Sequence, residues 1–177
     1  GMSDGKGADT NISAENPDYE GRKLIRNVDA SVETMEFDRF LAALNEEIAR
    51  LDGYVERSEV DGNSYRYESS RWAYYTIRIP ANALDNFLNI VGELGNITYR
   101  AESVEDITLQ YVDTESRVEA LEVEQERLLA LLAQAESVED MITIESRLSE
   151  VRYELESYAS QLRTYDNQVD YSTVYLN

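Results

Sequence analysis

YVDTESRVEALEVEQERLLALLAQAESVEDMITIESRLSEVRYELESYASQLRTYDNQVD, residues 111–170, decides the architecture of this chain. Within it Tyr111, Thr114, Val118, Leu121, Gln125, Leu128, Leu132 and Ala135 step by alternating threes and fours. After Ser137 a second series runs through Met141, Ile144, Leu148, Val151, Leu155, Tyr158, Leu162, Tyr165 and Val169. That spacing lays one apolar stripe along each of two helices and predicts a coiled-coil pair. Ala135-Glu136-Ser137 has room only for a turn, and Ser137 with Asp140 three residues on can cap the second helix. The arms must therefore run antiparallel, with Leu132 facing Met141, Leu128 facing Ile144, Gln125 facing Leu148, Leu121 facing Val151 and Val118 facing Leu155. At about 1.5 Å per residue, such a hairpin projects on the order of 35 Å. Gln125 is the one polar residue in mid-seam, a position that can set register at a cost in stability or simply be tolerated by a loose seam. Leu131, Gln134 and Glu136 lie off the seam at the turn and form a candidate interaction surface.

Upstream, residues 22–110 read as a compact α+β body. Leu24, Val28, Ala30 and Val32 alternate with Asn27, Asp29, Ser31 and Glu33 as in a half-buried strand, with Arg26 interrupting the apolar face. Phe37, Phe40, Leu41, Leu44, Ile48 and Leu51 then recur at helical spacing up to Gly53, a residue suited to the left-handed conformation that ends helices. Tyr54 to about Val60 and a Tyr- and Trp-rich stretch ending near Ile79 read as two strands about a turn at Asp61-Gly62-Asn63. After Pro80, Asn82 can cap a second helix with Asp85, and Leu84, Phe87, Leu88, Val91 and Leu94 form its buried stripe; Asn96 to about Leu109 is extended. Phe37-Asp38-Arg39-Phe40-Leu41 matches Leu84-Asp85-Asn86-Phe87-Leu88, and the flanking elements match too. The expectation is a ferredoxin-like βαββαβ sheet with both helices on one face. Residues 1–21 read as a flexible polar leader. Residues 171–177 read as a last strand that returns to the sheet edge, antiparallel to the strand before the hairpin.

The composition narrows function by exclusion. The 177 residues contain no Cys and no His, which removes disulfides, Cys/His zinc sites, thiol nucleophiles and imidazole-dependent dyads and triads. No phosphate-binding glycine loop is present, so neither enzyme activity nor a cofactor is expected. A formal charge of −20 repels phosphates and anionic headgroups, so nucleic acid is not an expected partner. Glu102, Glu105, Asp106, Asp113 and Glu115 gather where body and hairpin meet, without the spacing of a calcium loop; Asp113 and Glu115 are better placed to stabilise the positive end of the first arm. Trp72 and Tyr74 point away from the predicted helices and suit a protein interface.

The chain from Arg22 to Asn177 resembles the prokaryotic family called domain of unknown function 4349. The resemblance rests on Arg22-Lys23-Leu24-Ile25, Leu51-Asp52-Gly53-Tyr54-Val55-Glu56, Ile77-Arg78-Ile79-Pro80-Ala81, Gln110-Tyr111-Val112-Asp113, Val138-Glu139-Asp140 with Ile144-Glu145, and Gln168-Val169-Asp170-Tyr171-Ser172-Thr173, in that order. It implies an extracytoplasmic envelope protein of lipoprotein type, anchored to a membrane by segments outside residues 1–177, and it transfers no catalytic residue. The expected role is a non-enzymatic module that contacts a protein partner, or a second copy of itself through an exposed edge strand or the hairpin tip. A subunit like the periplasmic adaptors of transport and secretion assemblies, and a sensor of divalent metal or sugar, are the alternatives.

Overall fold

The computed structural model describes residues 20–62 and 70–177. Most of the leader assigned to 1–21, and Asn63 of the predicted turn, lie outside the described residues. Five strands and four helices follow one another as β1 (Leu24–Glu33), α1 (Phe37–Arg50), β2 (Tyr54–Asp61), β3 (Trp72–Pro80), α2 (Leu84–Leu94), β4 (Asn96–Asp106), α3 (Thr108–Gln134), α4 (Val138–Asp170) and β5 (Tyr171–Leu176). The strands form one mixed sheet in the order β2-β3-β5-β1-β4.

The last strand is thus central, not at the edge. It pairs parallel with β1, Val28 opposite Val174, and antiparallel with β3, Ile77 opposite Val174. It runs opposite to β4, as expected, but never touches it, because β1 stands between them. The reason is burial: Ser172, Thr173, Val174 and Leu176 are all inside, and YSTVYL carries no charge. The true edges, β2 and β4, carry the Glu, Asp and Arg residues that keep exposed strand edges from pairing with other chains.

One sheet face packs under α1 and α2. Val28, Ala30, Tyr75, Ile77, Ile79, Val174 and Leu176 meet Phe40, Leu44 and Ile48 of α1 and Leu84, Phe87, Leu88 and Val91 of α2 in a single apolar core. Arg26, which interrupts that face in the sequence, is buried: its Nε donates to Glu102 Oε1 at 2.9 Å and its Nη2 to Asp85 Oδ1 at 3.2 Å. Burial works against its charge, and these two carboxylates more than offset that, raising its pKa.

Three local expectations need correction. The left-handed residue after α1 is Asp52, at φ 59°, and not Gly53; Gly53 is needed because an added Cβ would lie 2.8 Å from the Arg78 carbonyl and 2.5 Å from Ile79 Cδ1. Asn82 does not cap α2: Ala81–Ala83 form a 3-10 turn, α2 begins at Leu84, and Asp85 reaches for Arg26. Finally, α3 begins at Thr108, which puts Asp113 and Glu115 in its second turn. Asp106 serves the helix start, its Oδ1 accepting from the Thr108 N–H at 3.0 Å and hydroxyl at 2.5 Å. Those bonds, with Arg22 close by, hold the Asp106 carboxyl below the usual range.

Candidate functional site

The candidate site is built on α3 and α4, helices of 27 and 33 residues that pack along each other. The cap at the turn forms as the sequence implies, with Ser137 Oγ accepting from the Asp140 N–H at 3.1 Å. Polar bonds tie the arms at three levels. Near the middle Arg147 bridges to Glu124, with Nε–Oε1 at 2.7 Å and Nη2–Oε2 at 3.0 Å. Lower down Arg117 Nη1 meets the Tyr158 hydroxyl at 3.4 Å, and at the base the Tyr111 hydroxyl donates to Asp166 Oδ1 at 2.6 Å. Arg147 holds the Glu124 carboxyl below its ordinary range, and the hydrogen bond to Asp166 pushes the Tyr111 phenol up to about 12.

The seam residues sit as follows. Leu121, Leu148 and Val151 are buried; Val118, Gln125, Leu128, Leu132, Met141, Ile144, Leu155, Tyr158 and Leu162 are half-buried. Two helices alone cover each other on one side only, so much of the seam is half-buried; it is deepest at Leu121, Leu148 and Val151 and again at Thr114 near the base, and shallow toward the turn. Around the turn Leu131 is 55% exposed, Val138 71% and Ile142 62%, and Gln134 and Glu136 are exposed as well.

The hairpin is joined to the sheet without slack. Ile107, buried between β4 and α3, donates its N–H to the Lys23 carbonyl at 2.8 Å, and β5 follows α4 with no intervening loop. Contact with the sheet is chiefly through α4, on β1 and β5. Trp72 and Tyr74 stand elsewhere, on β3 next to Asp61 and Glu59 of β2 across the ladder, with Trp72 at the end of the strand bordering a cleft beside α1. Trp72 is exposed and Tyr74 half-buried. The structure does not bring these aromatics together with Leu131, Gln134 and Glu136, which lie more than 20 residues of helix away from the sheet.

The acidic residues at the junction are dispersed. Glu102 pairs with Arg26 and Arg100, Asp106 with Arg22, and Asp113 with Arg117 at 3.1 Å. Among the described residues no three Asp or Glu converge as a metal site would require, and no helix is long and apolar enough to cross a membrane.

One feature escaped the sequence reading, a cleft of about 730 Å³ between α1 and the end of the sheet, lined among others by Phe37, Phe40, Leu44, Arg71, Trp72 and Leu176. Arg71 forms part of its wall, 4.3 Å over the Phe37 ring and bonded to Asp38 at 2.8 Å. Among the described residues Glu33 supplies the one carboxylate side chain of its lining. Nothing in the sequence marks this cleft, because its walls come from segments scattered from Ser31 to Asn177. The Glu124–Arg147 bridge, by contrast, could have been found, since both residues flank facing seam positions.

The family model described as Domain of unknown function (DUF4349) matches residues 22–177. No curated protein and no solved structure matches the chain.

Proposed function

We propose that the chain, which belongs to the DUF4349 family, is an extracytoplasmic interaction module of the cell envelope, held at the membrane by an anchor outside residues 1–177 and making its protein contacts with the far end of its helical hairpin. The observation that carries this reading is the turn end of a rod about 40 Å long, where Leu131, Val138 and Ile142 remain exposed while the seam residues between the arms are buried or half-buried. Apolar side chains held at the end of a stiff projection are what a protein contact uses and what a solitary domain has no need to present.

The body supports this as a mount. With β5 set aside, the sheet order becomes β4-β1-β3-β2, and we read the body as a ferredoxin-like frame opened in its middle to admit the last strand. We read the arms as a coiled coil on the strength of their heptads. Because α4 continues directly into a central strand, the rod is fixed to the sheet at a set angle, so the contact surface stands at a defined position. No reaction chemistry is required for this role.

The test is site-specific photo-crosslinking in cells producing the full-length protein, with the reactive residue at Leu131 or Val138 and, as control, at the buried Leu148. Discrete protein adducts from the tip positions are expected. Adducts no more frequent there than at Leu148 would sink the reading.

A further inference from the structure

We infer that the partner seated on the hairpin tip presents a basic amphipathic helix, an inference that rests on reading the tip as a contact site. The Glu124–Arg147 bridge marks one flank of the seam, since these residues directly precede the facing positions Gln125 and Leu148. Leu129 and Ile142 directly follow seam positions and so lie on the opposite flank, and Val138 lies one helical turn from Ile142 on the same side. Leu129 is 46% exposed, and with Val138 and Ile142 it makes an uncovered apolar patch.

Carboxylates ring that patch. Glu126 is three residues from Leu129, Glu139 and Glu145 are each three from Ile142, and Glu136 sits in the turn. All four are exposed and none forms an ion pair among the described residues, whereas Glu124, Glu150 and Glu154 on the other flank all face Arg147. An apolar centre inside an anionic rim is complementary to a helix with an apolar stripe bordered by Lys or Arg, the helix-in-groove mode of recognition with electrostatic selection of the partner. A second copy would set these carboxylates against their own counterparts, and an anionic membrane surface would be repelled in the same way.

The probe is a synthetic helical peptide with Leu on one face and Lys on the other, titrated into the protein and followed by fluorescence anisotropy. Binding is expected to weaken about tenfold in the exposed variant Ile142→Ser, about tenfold in Glu139→Gln/Glu145→Gln, and progressively as salt is raised. The charge-matched control Glu46→Gln/Glu93→Gln, on the body helices, should bind as the parent does. Circular dichroism confirms that each variant keeps its helix content. The inference is overturned if the tip variants bind like the parent, if the control loses as much as they do, or if a peptide with Glu in place of Lys binds equally well. Light scattering that shows a dimer dissolved by Ile142→Ser would assign the patch to a second copy instead. Crosslinks in cells to a partner through a neutral or acidic surface would overturn the basic helix and leave the interaction module standing, while absence of tip crosslinks would remove both.

Discussion

Arg78 of β3 clasps Asn167 in the last turns of α4, donating to its side-chain Oδ1 at 2.6 Å and to its main-chain carbonyl at 3.0 Å, while also bonding the Thr173 hydroxyl. It is the buried link by which the sheet holds the base of the hairpin. Arg78→Met keeps the apolar stem but removes these hydrogen bonds and leaves the buried Thr173 hydroxyl without its donor, so it should cost about 1–3 kcal/mol in urea denaturation. Amide exchange should accelerate across the last turn of α4, and unchanged exchange there would refute the clasp.

The depth of the seam sets how much a charge inside it costs. Leu121 is buried, and Leu121→Asp should lose about 3–5 kcal/mol because the carboxylate has no partner there. Leu155 is half-buried, and Leu155→Asp should lose about half as much because its carboxylate can reach water. Equal losses, measured by chemical denaturation of both variants, would contradict this gradient.

Arg26 and Glu102 test whether the buried pair serves stability. Glu102→Ala takes from the buried Arg26 the carboxylate that meets both its Nε and its Nη2, and should cost about 3 kcal/mol. Replacing both residues by Leu removes the buried charge along with its carboxylate and should restore most of that loss. A double variant as unstable as Glu102→Ala would show that the pair itself, and not the penalty of breaking it, matters.

Gly53 and Asp52 should respond in opposite directions. Gly53→Ala forces a Cβ onto the Arg78 carbonyl and should cost about 1–3 kcal/mol. Asp52→Gly relieves a positive φ and should be neutral or stabilising by up to about 1 kcal/mol. Thermal melts of the two variants distinguish close approach from left-handed backbone as the reason for the glycine.

The Tyr111–Asp166 bond gives the hairpin base an alkaline limit. Its phenol is raised to about 12 by donating to Asp166, against an ordinary value near 10 that applies when the chain is unfolded. A raised folded value means that the contribution is complete below pH ~10 and is lost as pH rises from there through about 12. The stability difference between the parent and Tyr111→Phe should therefore shrink over that interval, and a phenol ionising near pH 12 in a spectrophotometric titration of the parent should be missing from the variant. A gap independent of pH would contradict the assignment.

How much of this was legible follows from the range of the interactions. The two long helices, their turn and the Ser137 cap could be read directly, because heptad spacing and capping are written within a few residues of each other. The helix α3 begins at Thr108, three residues before the first heptad position at Tyr111, since its start is set by Asp106 and by the Lys23 main chain, one of which is 85 residues from Thr108. Leu131 and Glu136 could be placed at the tip by counting, but the flank carrying Leu129, Val138 and Ile142 emerged only once the Glu124–Arg147 bridge oriented the arms.

Periodicity along the chain was enough to specify α+β architecture and the protruding pair of helices, since a helix carries its own backbone hydrogen bonds and its buried stripe recurs every few residues. The place of β5 between β1 and β3, the burial of Arg26 and the Arg78 clasp depended on the folded sheet. A strand's partners lie far off in sequence and are chosen by which pairing covers both its faces, so YSTVYL could hint at an interior position only by its lack of charge.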